Sequence, residues 1–287
     1  MKSMIRYCLI FAFLCKSYTS RCDTIAGNFN FADSLFSVGQ FEIASLEYER
    51  IYFVSTESEG RSLALLKKSY CQKKLGNYES AISSLARAEN EKTSDSLKYL
   101  INKEHAMLYF LNDDYSNAEL MLNQLDQQVT DTIKQYDYLY LKIIVLNELM
   151  KWDESSVLLK KYFCYKNIIL DEQNRKALFN QPKQLNPKTA KIMSYFIPGS
   201  GQMYSGHIFR GLTSIGFQGS SLLYTILAIQ NKFYLTGVFT GFGLMQMFYF
   251  GGARYAAFLV NKENAQKITT YNKRIRDFVL SVESISK

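Results

Sequence analysis

The sequence predicts an all-α protein in which a solenoid of helix pairs is followed by a transmembrane helical hairpin. Three observations lead to this fold class. Residues 24–170 contain a pattern that recurs every 37 residues, all three prolines then fall within Pro182–Pro198, and two long uncharged stretches follow. A repeat of this length is typical of helix pairs that stack. An uncharged stretch of about 20 residues is long enough to cross a bilayer.

The first 20 residues have the order of a secretory signal peptide. Lys2 and Arg6 precede an apolar run from Tyr7 to Cys15, and small polar residues follow. This run is too short to span a bilayer. Residues 1–20 are therefore predicted to be a signal that exports the rest of the chain. The alternative is a short buried helix at the N-terminus.

Four aromatic residues mark four repeat units. Phe41, Tyr78, Tyr115 and Trp152 are each 37 residues apart. We expect each unit to be a pair of helices that cross closely at small residues, with the aromatic residue in the turn that starts the second helix. The positions three residues after and nine residues before these aromatics are occupied, in the same register, by Ala44, Ala81, Ala118 and Ser155, and by Ala32, Ser69, Ala106 and Ile143.

This pattern resembles the tetratricopeptide repeat (TPR) family over residues 26–166. The period is longer than the 34 residues usual in that family, and the fourth unit is degenerate, as expected of a terminal capping unit. The resemblance implies a TPR-like helical-hairpin solenoid whose first helices line a groove that binds a protein or peptide ligand. Carried over by register, the groove residues are Asn30, Asp33, Lys67, Tyr70, Lys73, Lys74, Lys103, Glu104, Met107 and Asn147.

The second unit has a basic face, which includes Lys67, Lys68, Lys73 and Lys74. Such a face suits an acidic segment or a C-terminal carboxylate. The alternative is a solvated helix face, because runs of charge usually serve solvation.

Residues 171–191 are polar and contain proline, so they are predicted to link the repeats to a membrane domain at residues 192–260. Within that domain, Gly211–Ile229 contains no charged residue in nineteen positions and Phe233–Ala253 none in twenty-one. As helices these spans would be about 28–32 Å long, which matches the hydrocarbon core of a bilayer. The alternative is a pair of buried helices in a soluble domain.

Small residues recur at helical spacing in the predicted hairpin. Gly237 and Gly241 form a GxxxG pair, and Gly216 with Ser220 is its weaker counterpart. Such pairs let helix backbones approach closely in lipid, so we expect them where the two spans meet or at a homo-oligomer surface. Polar side chains inside the spans should face protein, because an unpaired polar group in hydrocarbon is costly. These polar residues are Ser214, Gln218, Ser221 and Gln246.

The stretch FIPGSGQMYSGHIFRG, residues 196–211, is predicted to be an elbow between an interfacial helix and the first span. Proline ends the preceding amphipathic helix, and the glycines permit a sharp re-entry. The glycine spacing does not match the dinucleotide fingerprint, and no GK[ST] follows as in a phosphate loop. The elbow residues are Pro198, Gly199, Gly201, Gln202, Tyr204 and Gly206.

The elbow sequence PGSGQMYSGHIFRG also resembles the PGxGQxYxG motif of small bacterial two-span membrane domains. The resemblance covers residues 192–266. It implies a location in the membrane rather than a biochemical activity. Beyond it, residues 261–287 are predicted to form an amphipathic tail that meets anionic lipid.

The sequence does not predict an enzyme, a metal site or a cofactor. His105 and His207 are the only histidines, and the chain contains neither an HExxH motif nor a carboxylate pair in the apolar spans. A serine protease is not supported, because a triad is recognised by geometry and roles, not by the presence of serine and histidine. Nucleic acid is not an expected partner.

These expectations together describe a membrane-tethered TPR scaffold at the bacterial cell envelope that binds a polypeptide partner during protein assembly. The signal peptide places the repeats on the periplasmic side, although lysines and arginines flank the hairpin and the positive-inside rule favours the reverse. Membrane lipid is the second expected partner, and a homo-oligomer through the hairpin is the third. The alternative function is a membrane enzyme or transporter component that acts through the polar face of the hairpin.

Overall fold

The chain folds as two helical units. The computed structural model describes residues 25–129 and 132–285, so the predicted signal peptide at residues 1–20 lies outside the described residues. The first unit ends at Ile168 and the second begins at Ile169. No strand occurs in the described part of the chain, and the predicted all-α class is confirmed.

The first unit is a series of consecutive helix pairs. Each of the four aromatic repeat residues begins the second helix of its pair, as the spacing predicts. The helices of this unit are α1 (Ile25–Ser37), α2 (Phe41–Val54), α3 (Ser58–Lys74), α4 (Tyr78–Glu89), α5 (Asp95–Leu111), α6 (Tyr115–Gln128), α7 (Thr132–Glu148) and α8 (Trp152–Lys166).

The repeat positions predicted to allow close helix crossing are all buried. Their side chains are no larger than a hydroxymethyl group except at Ile143, so the two backbones of a pair can approach each other. The buried residues at these positions are Ala32, Ala44, Ser69, Ala81, Ala106, Ala118, Ile143 and Ser155.

The turn inside each pair has the same geometry every 37 residues. All four turns have a residue with positive φ at the same position, with φ of 83 degrees at Gly39, 77 at Gly76, and 58 at both Asp113 and Met150. In the first turn the amide of Gln40 then donates to the carbonyl of Leu35 at 3.0 Å, and the equivalent bond recurs in the other three. This arrangement satisfies carbonyls that the end of the first helix leaves unpaired. Aspartate and methionine therefore adopt a left-handed conformation at positions where the first two units have glycine.

Successive pairs stack on one another through both helices. The second helix of each pair packs against the first helix of the next, and the first helices also contact each other from α1 to α3, α3 to α5 and α5 to α7. Within the described residues, second helices make no comparable contact with second helices. The first helices therefore lie closer together than the second helices. We call the surface formed by α1, α3, α5 and α7 the inner face.

A group of charged side chains joins three helices of the first two pairs. The Glu49 carboxylate accepts hydrogen bonds from Lys68 Nζ at 2.7 Å and from Arg87 Nη2 at 2.9 Å. The Arg87 guanidinium also lies 4.4 Å from the centre of the Tyr52 ring. Burial alone would raise the pKa of Glu49, but the bonds from Arg87 and Lys68 outweigh burial and lower it.

The second unit is dominated by one long helix. A π-helical turn precedes this helix, and the chain runs from residue 234 to residue 285 without a loop. The elements are α9 (Glu172–Phe179), α10 (Pro187–Phe196), α11 (Ser200–Tyr204), α12 (Ile208–Gln230), α13 (Tyr234–Thr236), the π-helical turn (Gly237–Phe242) and α14 (Gly243–Ile285).

Two of these elements differ from the expected boundaries. The predicted tail at residues 261–287 does not start a new helix, because α14 continues through residue 260. The predicted linker at residues 171–191 contacts α14. The Asn264 side chain accepts from the Leu185 amide at 2.9 Å and donates to the Leu185 carbonyl at 2.7 Å, and Ala190 packs on Ala256 and Val260. The linker is therefore fastened to α14, because a buried asparagine satisfies its backbone.

We predict that Glu49→Gln lowers the free energy of unfolding by about 1–2 kcal/mol at neutral pH, since two charged donors lose their acceptor. Because the pKa of Glu49 is lowered in the folded state, this stabilisation is present above the ordinary glutamate pKa and is lost as pH falls through the lowered pKa. Chemical denaturation of the full-length protein in detergent at several pH values measures both effects.

Glu47→Gln is the matched control for this variant. Glu47 lies on the same helix and, among the described residues, pairs only with Arg50, which is one turn away and mostly exposed. Its substitution should change stability by less than about 0.5 kcal/mol. Equal losses in the two variants, or a Glu49→Gln effect that grows on acidification, would contradict the assignment.

Candidate partner-binding surface and membrane segment

The predicted groove residues all lie on the first helices of the pairs. Asn30 and Lys74 are exposed, whereas Tyr70 and Met107 are half-buried. Met107 packs beside the buried cluster of α5, α6 and α7. Tyr70 lies beneath Lys73, whose Nζ is 5.2 Å from the ring centre. The accessible part of the inner face is therefore a mixture of polar, aromatic and thioether groups.

Ion pairs connect neighbouring units across the inner face. Lys67 Nζ lies 2.6 Å from the Asp33 carboxylate, and Lys73 and Lys103 pair with the carboxylates of the following unit. The pairs join successive first helices: Asp33 with Lys67, Lys73 with Glu104, and Lys103 with Asp137. Six charges of the first helices are thereby compensated by one another.

These contacts change the electrostatic character expected of the second unit. Lys67 and Lys73 are paired on the inner face, and Lys68 is paired with Glu49. Of the four lysines in this run, only Lys74 makes no ion pair within the described residues. The run is thus neither a strongly basic surface nor simply a solvated face.

Burial also affects the titration of this surface. Burial raises the pKa of Glu104, although Lys73 opposes the shift. Burial and the nearby Glu104 charge raise the pKa of Tyr70 to about 12. At Asp137 the effect of burial is outweighed by hydrogen bonds from Lys103 and Tyr99, which lower its pKa. The carboxylates of Glu104 and Asp137 are consequently paired with lysines of the protein itself. The phenol of Tyr70 is neutral at physiological pH.

Asn147 does not lie on the accessible surface. It is buried, and its side-chain amide donates to the Ile143 carbonyl at 2.8 Å and to Ser155 Oγ at 2.7 Å. In the fourth unit, Ile143 and Ser155 occupy the two repeat positions where the helices cross. Asn147 therefore connects the helices of the last pair instead of facing a ligand.

The two histidines lie in different environments. His105 is buried, its Nδ1 is 2.7 Å from Glu89, and its ring stacks on Tyr109. His207 Nδ1 is 3.2 Å from Ser205 Oγ, but the Ser205 hydroxyl is 2.7 Å from the Gln202 carbonyl, which can only accept its proton. The Ser205 hydroxyl therefore stabilises the turn and is not activated by the imidazole.

No cluster suited to a metal ion occurs in residues 25–129 and 132–285. Groups of three or more histidine, cysteine, aspartate or glutamate side chains at ligating spacing are not found in this part of the chain. Cys71 is buried and Cys164 exposed, and neither forms a disulfide. These cysteines and the histidines are not brought together into a site.

The elbow, defined as Pro198–Gly206, turns the chain sharply between α10 and α12. Helix α10 ends at Phe196, just before Pro198, as expected for the residues preceding a proline. Gly199 and Gly206 have φ of 85 and 87 degrees, a region that favours glycine. Between them lies the single turn α11. The motif residues thus determine the backbone path of the elbow.

Close packing explains the remaining glycine of the elbow. A Cβ on Gly201 would lie 2.1 Å from the Ala190 carbonyl oxygen and 2.8 Å from Ala256 Cβ. Beside it, Gln202 is buried and donates from Nε2 to the Gly252 carbonyl at 3.0 Å, while the Tyr204 hydroxyl accepts from the Asn186 amide at 3.5 Å. The elbow is consequently fixed to both α10 and α14.

Helix α12 has the reverse of the polarity usual in a soluble protein. Gln218, Ser221 and Thr225 are at most 9% exposed, whereas its leucine, isoleucine and phenylalanine side chains point outward. It is the one helix of the described chain that is long and apolar enough to cross a membrane, by length and composition. The exposed apolar residues of α12 are Ile208, Phe209, Leu212, Ile215, Phe217, Leu222, Leu223, Tyr224, Ile226, Leu227 and Ile229.

The second predicted span is less regular than the first. Residues 233–253 are divided among α13, the π-helical turn and the beginning of α14, and α14 then continues as a polar helix. This division and polar continuation set it apart from a single apolar helix. The segment still packs antiparallel to α12, and its exposed residues include Val238, Phe239, Phe242 and Met247.

The polar residues of the two spans are placed differently from one another. Gln218 Nε2 lies 3.3 Å from Ser214 Oγ and 3.5 Å from the Phe248 carbonyl, and Ser221 donates to the Phe217 carbonyl. The stripe on α12 therefore faces protein, as predicted. Gln246 is exposed instead, contrary to the expectation for the second span.

The small residues of the hairpin fall into two groups. Gly237 and Gly241 are buried against α12, where a Cβ on Gly241 would lie 2.3 Å from Thr225 Oγ1. Gly216 and Ser220 are exposed, and a Cβ on Gly216 would meet nothing within 4 Å. They do not form the contact between the two helices, and a role at a homo-oligomer surface stays a prediction.

Several interactions were not predicted from the sequence although a signal was present. Asp33–Lys67 and Lys103–Asp137 are opposite charges at the same offset of 34 residues. In an array with a period of 37, two residues 34 apart lie on neighbouring first helices. Their positions in the repeat differ by three residues, which is nearly one helical turn. The pairing of Leu185 with Asn264 has no such signal, because its partners lie far apart in the sequence.

Comparison of the chain with known proteins finds no match among protein-family models, curated proteins or solved structures. The resemblance to TPR proteins and to two-span membrane domains therefore depends on the residues and geometry described above.

We predict that Gly241→Ala lowers the free energy of unfolding in detergent by about 1–3 kcal/mol, because the added methyl group overlaps Thr225. Gly216→Ala is the matched control, since it adds the same methyl group to the partner helix in open space. Thermal unfolding of the full-length protein, monitored by circular dichroism, measures the difference. Equal stability of the two variants would show that α12 and the π-helical turn do not pack as described.

Proposed function

We propose that this protein is a membrane-tethered, TPR-like scaffold that binds a polypeptide partner at the bacterial cell envelope, where it serves protein assembly. The observation that carries the proposal is the reversed polarity of α12, in which Gln218, Ser221 and Thr225 are buried whereas most of the large apolar side chains are exposed. It accounts for the tether. The stacked helix pairs of the first unit account for the binding surface.

Reversed polarity favours lipid as the surroundings of α12. Burying one half-exposed large apolar side chain is worth about 1 kcal/mol, and this helix has many of them. In water they would together cost more than most domains have in net stability. In hydrocarbon the same surface is favourable, and the inward hydrogen bonds of Gln218 and Ser221 avoid unpaired polar groups.

The proposed tether is a hairpin of two spans. Asn231 and Lys232 form the turn, with Lys232 at φ of 66 degrees, and the chain then returns along α12. The π-helical turn brings Gly237 and Gly241 against the first span. A π-helical turn is compatible with a membrane helix because its backbone remains hydrogen-bonded.

The inner face is the proposed binding surface for the partner. Within the described residues, first helices contact one another and second helices make no comparable contact. This arrangement favours a stack that curves toward the inner face, as in solenoids that bind extended peptides on their concave side. Tyr70, Lys74 and Met107 offer an aromatic ring, a cation with no ion-pair partner among the described residues and a polarisable thioether. We infer a partner segment that is mixed in character, with an acidic group opposite Lys74.

The polar stripe of the hairpin does not favour the alternative of an enzyme or transporter component. Ser214, Gln218, Ser221 and Thr225 bond to one another or to nearby backbone carbonyls. These hydrogen bonds give the polar residues a structural role. The predicted signal peptide supports a periplasmic location for the repeats, since export of the first unit precedes membrane insertion of the hairpin.

The tether is tested by introducing a charge on the exposed side of α12. Leu223→Glu should release much of the full-length protein from membranes during an alkaline carbonate wash, because a charge near the middle of a span costs about 2.5–3.5 kcal/mol. Leu120→Glu, at an exposed leucine of the first unit, should leave retention unchanged. Wild-type protein that is freely soluble without detergent would contradict the tether.

The binding surface is tested by site-specific photo-crosslinking in cells. A photoreactive phenylalanine at Lys74, on the inner face, should give a discrete adduct with one polypeptide. The same residue at exposed Ser83, on the second helix of that pair, should give none. Tyr70→Phe, combined with the probe at Lys74, should lower adduct yield if the phenol contacts the partner. Equal adducts at both positions would contradict binding at the inner face.

A further inference from the structure

A groove of about 470 Å³ lies between α12 and the first part of α14. One end is lined by Arg210, Thr213 and Ser214, and the other by Phe217, Met247 and Phe248. The polar end is at the beginning of α12, and the apolar end follows the helix toward its centre. The groove therefore changes from polar to apolar along the direction of the proposed span.

Two glycines form the floor of this groove. A Cβ on Gly251 would meet nothing within 4 Å, so the groove is open above it. Gly252 lies close to Ser214 Oγ and to the amides of Gln202 and Gln218, which approach its Cβ position to between 3.3 and 3.6 Å. The absence of side chains at these two positions creates the space, and buried polar groups line its inner edge.

The charge at the polar end is uncompensated. Arg210 is exposed and donates from Nη1 to the Tyr255 hydroxyl at 3.0 Å, which orients the guanidinium beside the groove. Within the described residues Arg210 forms no salt bridge, and no carboxylate lines the groove. A guanidinium has five N–H donors, so most remain available to an anion after the bond to Tyr255.

We propose that this groove binds one anionic phospholipid, with the headgroup phosphate on the Arg210 guanidinium and an acyl chain along Phe217, Met247 and Phe248. The inference rests on the proposed membrane tether, which places Arg210 at the level of the headgroups. A free phosphate would leave the apolar half of the groove empty. A peptide there would bring unpaired backbone groups into hydrocarbon.

The test uses the full-length protein in nanodiscs of phosphatidylcholine that contain a small fraction of spin-labelled lipid. Electron paramagnetic resonance measures the fraction of label immobilised by the protein. Spin-labelled phosphatidylglycerol should be immobilised in preference to spin-labelled phosphatidylcholine. Arg210→Gln should reduce this preference about fivefold, the factor expected for one cation at an anionic interface.

Two matched controls distinguish lipid binding in the groove from the effect of losing any arginine and from the effect of adding a large side chain anywhere on α14. Arg254→Gln removes an exposed arginine at a neighbouring position of α14 that does not line the groove. It should leave the preference unchanged. Gly251→Leu should fill the groove and abolish the preference with Arg210 intact, whereas Gly243→Leu, at an open position of the same helix, should not.

The outcomes distinguish this inference from the tether. Flotation of each sample on a density gradient first shows whether the protein is inserted in the nanodisc, and failure of the wild type to insert would overturn the tether. Insertion without a preference for phosphatidylglycerol, or equal losses for Arg210→Gln and Arg254→Gln, would overturn only the lipid site. Displacement of the labelled lipid by soluble glycerol phosphate would contradict a site that needs the acyl chain.

Discussion

Close approach of helix backbones is the constraint on which both units depend. In the first unit, alanine or serine occupies nearly every position where the two helices of a pair cross, and all of these positions are buried. In the second unit, glycines serve the same purpose, and a methyl group on Gly201 or Gly241 would overlap a neighbouring atom at 2.3 Å or less. The same requirement for close backbone approach therefore applies to the helix pairs of the first unit and to the segment proposed to lie in lipid. In lipid it matters more, because no hydrophobic driving force holds two helices together there.

Electrostatic pairing is the second feature that links the repeats. The inner face uses Lys67, Lys73 and Lys103 to connect each first helix to its neighbour. Partly exposed pairs of this kind add little stability individually, but their geometry favours one register between units. Binding of the proposed partner would then depend less on net charge than on the shape and chemistry of the side chains that remain accessible. The overall basic character of the chain is consequently a poor guide to the electrostatic character of the inner face.

The sequence was sufficient to predict the helix pairs, because the same chemistry recurs at 37-residue intervals. The aromatic residues that begin the second helices and the small residues at the crossings both follow from that period. The placement of Gln246 could not be predicted in the same way. Facing arguments assume 3.6 residues per turn, and the π-helical turn at Gly237–Phe242 alters the rotation of everything that follows it. The burial of Asn147 depends on Ser155 across the pair, which spacing alone does not reveal.

The unbroken course of α14 has a mechanical consequence. Its 43 residues would measure about 65 Å, roughly twice the thickness of a hydrocarbon core. Neither glycine nor proline occurs after Gly252, so the helix contains no flexible joint at the proposed water boundary. In the proposed tether, any tilt or rotation of the anchored end would be transmitted along this helix to the segment that holds Leu185 and Ala190. Changes in bilayer thickness or curvature would then reach the part of the second unit outside the proposed spans.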